Sequence, residues 1–186
     1  TVALGDSKPY LQISLQHYDK LEKLHSTWWK KGYARQTEGE DVSEQSHFRC
    51  CLWNLLARYE GLKGHGYQAA LPGEVFDVLF QELQVSGECF ASPLNARYCH
   101  FCSAFPDVDC FFGAHGSFFS FTPTSGSYEA NPPFVPELML DAIEHMEDLL
   151  QKATGPLSFS VIIPNWKHVT AWKRLQKSKW RRHGVV

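Results

Sequence analysis

The chain has 186 residues, of which 44% are hydrophobic, 14% aromatic and 20% charged, with a formal net charge of -2. Thirteen Phe, six Trp and seven Tyr can bury a sizeable core, which excludes disorder throughout and suits one ordinary domain, or a long domain with a short appendage. The small net charge hides a segregation: residues 1–148 carry ten Lys/Arg against twenty Asp/Glu (-10), and residues 149–186 carry eight Lys/Arg and no acid (+8). A one-sided basic block is read as a solvated basic helix or as a surface for an anionic partner.

In chain order, His17 to Leu24 has leucines three apart and predicts a short helix, and Thr37 to Glu44 an acidic, Gly-containing loop. Phe48, Leu52, Leu55/Leu56 and Tyr59 follow the helical period, with Gly61 as the stop and a Gly-rich turn to Gly66. Pro72 opens a further helix whose apolar face is Val75, Phe76, Leu79, Phe80 and Leu83. Both helices are expected to pack those faces against apolar partners. After Gly87 the period changes: Glu88 to Ala91 predicts a strand ended by Ser92-Pro93, and a stretch rich in aromatics, Gly and Pro follows. Phe118 to Phe121 and Ser127 to Ala130 predict strands around a turn at Pro123 to Gly126. Glu137 to Leu150 is a helix with Leu138, Ala142/Ile143, His145/Met146 and Leu149/Leu150 on one side. Leu157 to Ile163, bounded by Gly155-Pro156 and Pro164, predicts a strand apolar enough to be covered on both faces. Strand, helix, strand is a parallel, right-handed βαβ unit.

Ser158 and Ser160 interrupt the longest apolar stretch, so no membrane span is expected. The chain opens on Thr1 without a secretory signal, which predicts a start that is processed or cut from something longer. The six cysteines are expected as reduced thiols, since a chain with this aromatic core does not depend on disulfides. Cys99-x-x-Cys102 with His100, Cys110 and His115 can be drawn as a zinc site, but its intervals match no standard finger or ribbon, so no metal is expected.

Ligands of open α/β sheets bind outside the carboxyl ends of the strands. Two junctions qualify: Ala130 to Phe134 and Pro164 to Lys167. The first reads Asn131-Pro132-Pro133-Phe134, a tetrapeptide that at about 5% usage per position arises by chance in roughly one such chain in a thousand. Asn-Pro-Pro-aromatic is the signature of amino-group methyltransferases acting on N6 of adenine. The amine is a poor nucleophile because its lone pair is delocalised into the ring. The Asn131 side-chain oxygen and the Pro132 carbonyl can each accept one N–H, drawing the nitrogen towards a tetrahedral geometry and freeing the lone pair. Phe134 offers a stacking face worth about 1–3 kcal/mol per base. The prolines fix the carbonyl before substrate arrives.

Further blocks are Glu88 to Asn95; Cys102-Ser103-Ala104-Phe105-Pro106-Asp107 with Asp109; Gly126 to Phe134; Pro156-Leu157-Ser158-Phe159; and Ile163-Pro164-x-Trp166. In these blocks, spread from about Leu52 to His183, the chain resembles the phosphorylated-CTD-interacting-factor family, the cap-specific adenosine N6-methyltransferases of eukaryotic messenger RNA. The resemblance implies an α/β, Rossmann-like, S-adenosylmethionine-dependent methyltransferase core at residues 71–186, lacking its last strands, with a helical portion at 1–70. It implies methyl transfer from S-adenosylmethionine to N6 of 2′-O-methyladenosine beside the cap of mRNA, in the nucleus, otherwise the cytoplasm. The catalytic set carried over is Asn131, Pro132, Pro133 and Phe134. Ala91, Ser92, Pro93 and Asn95 are candidate walls of the cofactor pocket, with Asp107, Asp109 and Asn131 as further cofactor contacts. Phe134, Glu137, Trp166, Lys167, Arg181 and Arg182 are candidate contacts to the RNA.

Two departures stand out. Only Glu137 is acidic after the tetrapeptide, where the family has two acids, and Trp166-Lys167-His168-Val169-Thr170 replaces the family's Trp-Arg-Glu-Pro-Pro. Trp28-Trp29 is read as an adjacent pair and not as a WW domain, so binding to the RNA polymerase II tail is not expected. Two alternatives stand beside the main reading: a catalytically silent cap- or RNA-binding module, and the same chemistry on an adenine of internal RNA or DNA.

Overall fold

The computed structural model describes residues 2–4, 11–32, 43–62 and 70–182. The amino-terminal part opens with an antiparallel ribbon of β1 (Val2–Leu4) and β2 (Leu11–Ile13). Helix α1 (Leu15–Lys30) begins where the Ser14 side chain accepts from the His17 N–H at 3.2 Å, and α2 (Glu44–Gly61) where Ser43 does the same for Ser46. Such caps satisfy amides that have no partner within the helix. The helical period read from Phe48 onward is the buried stripe of α2, with Phe48, Cys51, Leu52 and Leu55 all inside. They pack with Leu21 and His25 of α1, Leu11 and Ile13 of β2, and with Val108 and Phe112 from further along the chain. Part of the predicted acidic loop and most of the Gly61 to Gly66 turn lie outside the described residues.

Helix α3 (Gly73–Leu83) follows Pro72 as expected, but its packing does not. Val75, Val78, Phe80 and Leu83 are all exposed, Val78 by 56%. One edge is tied down: Tyr98 donates from its hydroxyl to the Phe76 carbonyl at 2.9 Å, and Arg97 pairs with Asp77 at 3.0 Å. Gln84 ends the helix in the left-handed conformation, φ 56°.

Four parallel strands form the sheet: β3 (Gly87–Ala91), β4 (His100–Ser103), β5 (Gly126–Ala130) and β6 (Leu157–Val161), in the order β4-β3-β5-β6. Strand β4 does not follow from the sequence pattern. The expected strand at Phe118 to Phe121 is instead a 3-10 turn at Phe118–Ser120, started by Ser117, whose hydroxyl accepts from the Phe119 N–H at 3.3 Å. Its Phe118 is buried against Phe90, Phe159 and His145. Between β4 and this turn lie α4 (Pro106–Asp109) and a 3-10 turn at Cys110–Phe112. Helix α5 (Pro136–Lys152) joins β5 to β6 and completes the parallel βαβ unit. Strand β6 is not covered on both faces: it ends the described sheet, and its Ser158 is exposed. Helix α6 (Thr170–Lys177) closes the described fold. No helix among the described residues is long and apolar enough to cross a membrane.

Side chains alternate across the sheet. On one face Cys89, Cys102, Tyr128, Ala130, Leu157, Phe159 and Val161 pack with the buried side of α5 and with Ala171 and Leu175 of α6. On the other, Glu88, Glu129 and Ser160 stand in one row by register, with Phe101 opposite Glu88.

Gly113 joins the two halves. Its φ is +99°, and a Cβ there would run into the indole nitrogen of Trp28 on α1. Replacing Gly113 with Ala should therefore destabilise the fold by about 2 kcal/mol or more, from the left-handed backbone plus the overlap. Urea denaturation measures this; an unchanged midpoint would show that α1 and the Cys110–Phe112 turn do not depend on this close approach.

Candidate functional site

From β3 the chain moves outward to β4, then returns past β3 to β5 and on to β6. The connections leaving β3 and β5 thus diverge to opposite sides, and the carboxyl ends of these adjacent strands border the switch point where open α/β sheets bind ligands. The segments meeting there are Ser92 to Asn95 after β3 and Asn131 to Phe134 after β5. Pairing of Glu88 with Glu129 sets the two ends side by side.

The first segment is held in three ways. Asn95 Oδ1 accepts from the Ser92 N–H at 2.7 Å and from the Ser92 hydroxyl at 2.8 Å. Glu88 Oε1 accepts from the N–H groups of Arg97 and Tyr98 at 2.7 and 2.9 Å. Lys20 of α1 donates to the carbonyls of Leu94 and Ala96 at 3.3 and 2.9 Å. Ser92 and Pro93 are buried, Ala91 is half-buried and Asn95 is exposed. A loop tied this firmly supplies a wall that costs little ordering when a ligand arrives.

The second segment is a proline-stiffened turn. The Val135 N–H donates to the Pro133 carbonyl at 2.7 Å, so the turn uses the carbonyl of Pro133 and not that of Pro132. Pro132 is buried, and Asn131, Pro133 and Phe134 are half-buried. Beyond β6 a matching turn, Trp166 N–H to Pro164 carbonyl at 2.7 Å, brings Trp166 back towards Phe134. Their ring centroids are 6.4 Å apart at 73°, edge to face. The two strand ends singled out in the sequence are joined by this contact.

Other predicted residues are placed less directly. Asp107 is exposed and paired with Arg58 of α2 at 2.6 Å; that guanidinium bond holds its carboxyl below the usual range. Asp109 is fully buried, its Oδ2 accepting from the Tyr59 hydroxyl at 2.7 Å and the Phe105 N–H at 3.2 Å, with burial raising its carboxyl. Both aspartates thus fasten α4 to α2. Glu137 is exposed in the first turn of α5. Lys167, Arg181 and Arg182 are exposed, whereas Arg174 of the same basic segment is bound to Glu147 at 2.6 Å. The Cys99-x-x-Cys102 pair does not converge: Cys99 is exposed and Cys102 is buried in the apolar core. His100 and His115 stack, Nδ1 to Nε2 at 2.9 Å. All six cysteines are free.

Sequence reasoning missed the buried carboxylates beneath the switch point. Glu88 is 5% and Glu129 2% exposed. Burial raises both carboxyls, and the neighbouring Glu88 charge adds to burial in pushing Glu129 up to about 8. The backbone donors at Tyr98 and Arg97 and the Lys20 charge partly offset the effect on Glu88. Two further concavities, of about 500 Å³ between α1 and α2 and about 240 Å³ beside Trp28 and Pro106, include no residue of the switch point.

A parallel sheet whose strand ends bring together an Asn-Pro-Pro-Phe turn, the Trp166 indole and a pre-tied loop defines an α/β protein with a candidate ligand site at its switch point. A family model described as the phosphorylated CTD interacting factor 1 WW domain matches residues 20–186. The chain belongs to that family. Over 154 residues, 78% of this chain, it is 46% identical to a protein of Mus musculus and 45% identical to one of Homo sapiens, each named mRNA (2′-O-methyladenosine-N(6)-)-methyltransferase. The match takes in 22% of each relative, so the chain spans about a fifth of their length. The family match corrects one expectation. It carries the WW description and runs through Trp28-Trp29, so the ground for excluding a polymerase-tail partner falls.

Proposed function

We propose that the chain carries the Rossmann-like core of an S-adenosylmethionine-dependent adenine N6-methyltransferase acting on cap-adjacent 2′-O-methyladenosine of mRNA. Residues 71–186 form that core in this reading, and residues 1–70 the helical portion. The observation that carries it is the placement of Asn131-Pro132-Pro133-Phe134 at the carboxyl end of β5, on the switch point, with Trp166 edge-on to Phe134. The activity for which the relatives are named agrees with that chemistry.

The residues present suit the cofactor. Ala91, Ser92, Pro93 and Asn95 on one side and Asn131 to Phe134 on the other contain no charged group, and a sulfonium is better held by amide and carbonyl oxygens and an aromatic face than beside a cation. Bound there, S-adenosylmethionine supplies an electrophilic methyl. Asn131 Oδ1 and the Pro132 carbonyl accept the two N–H groups of the adenine amine and hold its lone pair towards that methyl. Phe134 stacks on the base, and Trp166 fixes the ring of Phe134 from its edge. Asp107 lies on α4 just beyond β4 and reaches the cofactor in this reading only by exchanging its Arg58 partner.

The test is transfer of labelled methyl to a panel of RNA with cap-adjacent 2′-O-methyladenosine, uncapped RNA and DNA. Label on the cap-adjacent adenosine is expected. Label on uncapped RNA or DNA but never at the cap would move the activity to another adenine, and cap binding without transfer to any substrate would make the chain a silent module. The basic segment gives a second expectation. Replacing Arg181 and Arg182 with Ala should lower RNA affinity at all sequences and reduce the salt slope by about 0.7 for each phosphate that is no longer neutralised. An unchanged slope in a salt titration would remove both residues from the RNA path.

A further inference from the structure

Three side chains that the proposed activity does not use meet in the amino-terminal core. His47 and Cys51 are four residues apart on α2 and share a face, where they meet His25 of α1. His25 Nε2 lies 2.9 Å from His47 Nδ1, and Cys51 Sγ lies 3.5 Å from the same Nδ1. One ligand atom from each of the three is within 4.8 Å of the others. His25 Nε2 and His47 Nδ1 stand at hydrogen-bonding distance, and Cys51 Sγ faces the same His47 ring, 3.5 Å from Nδ1 and 3.8 Å from Nε2.

Tetrahedral zinc, with bonds of about 2.0–2.1 Å to nitrogen and 2.3 Å to sulfur, sets two nitrogens roughly 3.3 Å apart and nitrogen from sulfur roughly 3.6 Å. The separations in the fold, 2.9 and 3.5 Å, lie within about half an ångström of both. We infer that His25, His47 and Cys51 are three ligands of a tetrahedral zinc site that pins α1 to α2.

The surroundings suit an ion of this softness. His25 is 2% and Cys51 6% exposed, and the two imidazoles are ringed by Trp29, Phe48, Phe111 and Phe112. Neutral imidazole is the form that ligates a metal. Zinc displaces the Cys51 proton on binding, as a coordinating divalent ion does. The concavity lined by Glu22, Lys23, Ser26, Glu44 and Gln45 opens between the same two helices and offers an ion a polar approach. The fourth position is left to water. Imidazole and thiolate together select zinc over magnesium or calcium, which take oxygen ligands.

The chain, purified under reducing conditions, loaded with zinc and passed over a chelating resin, should retain one equivalent by elemental analysis. Cys51→Ser and His47→Gln should lose it, while Cys89→Ser, a buried thiol of the other core, should keep it. Because ligand variants can also disturb packing, the unaltered chain is titrated with cobalt(II). A stoichiometric end point with the intense visible bands of a tetrahedral ion and a near-ultraviolet sulfur-to-cobalt band is expected. No retained zinc, a weak octahedral spectrum without the sulfur band, or zinc surviving Cys51→Ser unchanged would overturn the site.

Discussion

Asn131→Ala should slow methyl transfer about 10²–10³-fold in kcat, the loss that follows removal of one preorganised hydrogen-bonding group at a reacting centre. The deleted oxygen is one of two acceptors proposed for the adenine amine. Its partner, the Pro132 carbonyl, stays in place because the turn is fixed by its prolines and by the Val135 N–H to Pro133 carbonyl bond. In the proposed arrangement Phe134 still offers its face to the base, so substrate binding is expected to be mostly retained and the loss to fall on kcat instead of KM. Single-turnover transfer to a capped oligonucleotide, with thermal unfolding to confirm an intact fold, separates these effects. A variant within threefold of the unaltered chain would remove Asn131 from the chemistry.

The parts of the fold that are legible in the sequence are those whose local pattern agrees with their packing. Helix α2 shows this: Phe48, Leu52 and Leu55 recur at the helical period and are the residues buried. Strand β5 and the turn after it are also readable, because the two prolines after Asn131 end the strand and stiffen the turn. Strand β4 is not. Its four residues are too few to show alternation, and parallel pairing with β3 is what makes it a strand. Phe118 to Phe121 misleads because an apolar run has no period of its own, and the Ser117 cap with the burial of Phe118 selects a 3-10 turn. Helix α3 is visible in its period, but a period cannot say whether a partner covers the face.

The two clusters that sequence reasoning missed have different causes. The His47 to Cys51 spacing is available, but a helix taken to start at Phe48 leaves His47 outside it; α2 begins at Glu44, and only then do both residues share a face. His25 joins them through packing of two helices separated by residues outside the described set. Glu88 and Glu129 are made neighbours by strand order alone, since β5 pairs with β3 after the chain has passed through β4.

That second cluster carries the other large effect. Glu129→Gln should stabilise the fold at and above neutral pH and leave it unchanged in acid. Glu129 is 2% exposed, and burial first, then the adjacent Glu88, pushes its carboxyl up to about 8 from 4.5. Lys20, Arg97 and Tyr98 are gathered on Glu88 by charge or through backbone N–H groups. With the folded value above the unfolded one, the folded state binds the extra proton between those limits, so stability is full below about 4.5 and is lost as pH rises through 8. At about 1.4 kcal/mol per pH unit the loss reaches on the order of 5 kcal/mol. Glutamine keeps the shape of the protonated acid without a proton to lose, and it relieves the repulsion on Glu88. Urea denaturation from about pH 4.5 to about pH 8.5 should therefore show two curves that coincide in acid and separate steadily, with the variant more stable. Parallel curves across that range would show that Glu129 is not held as a buried, protonated neighbour of Glu88.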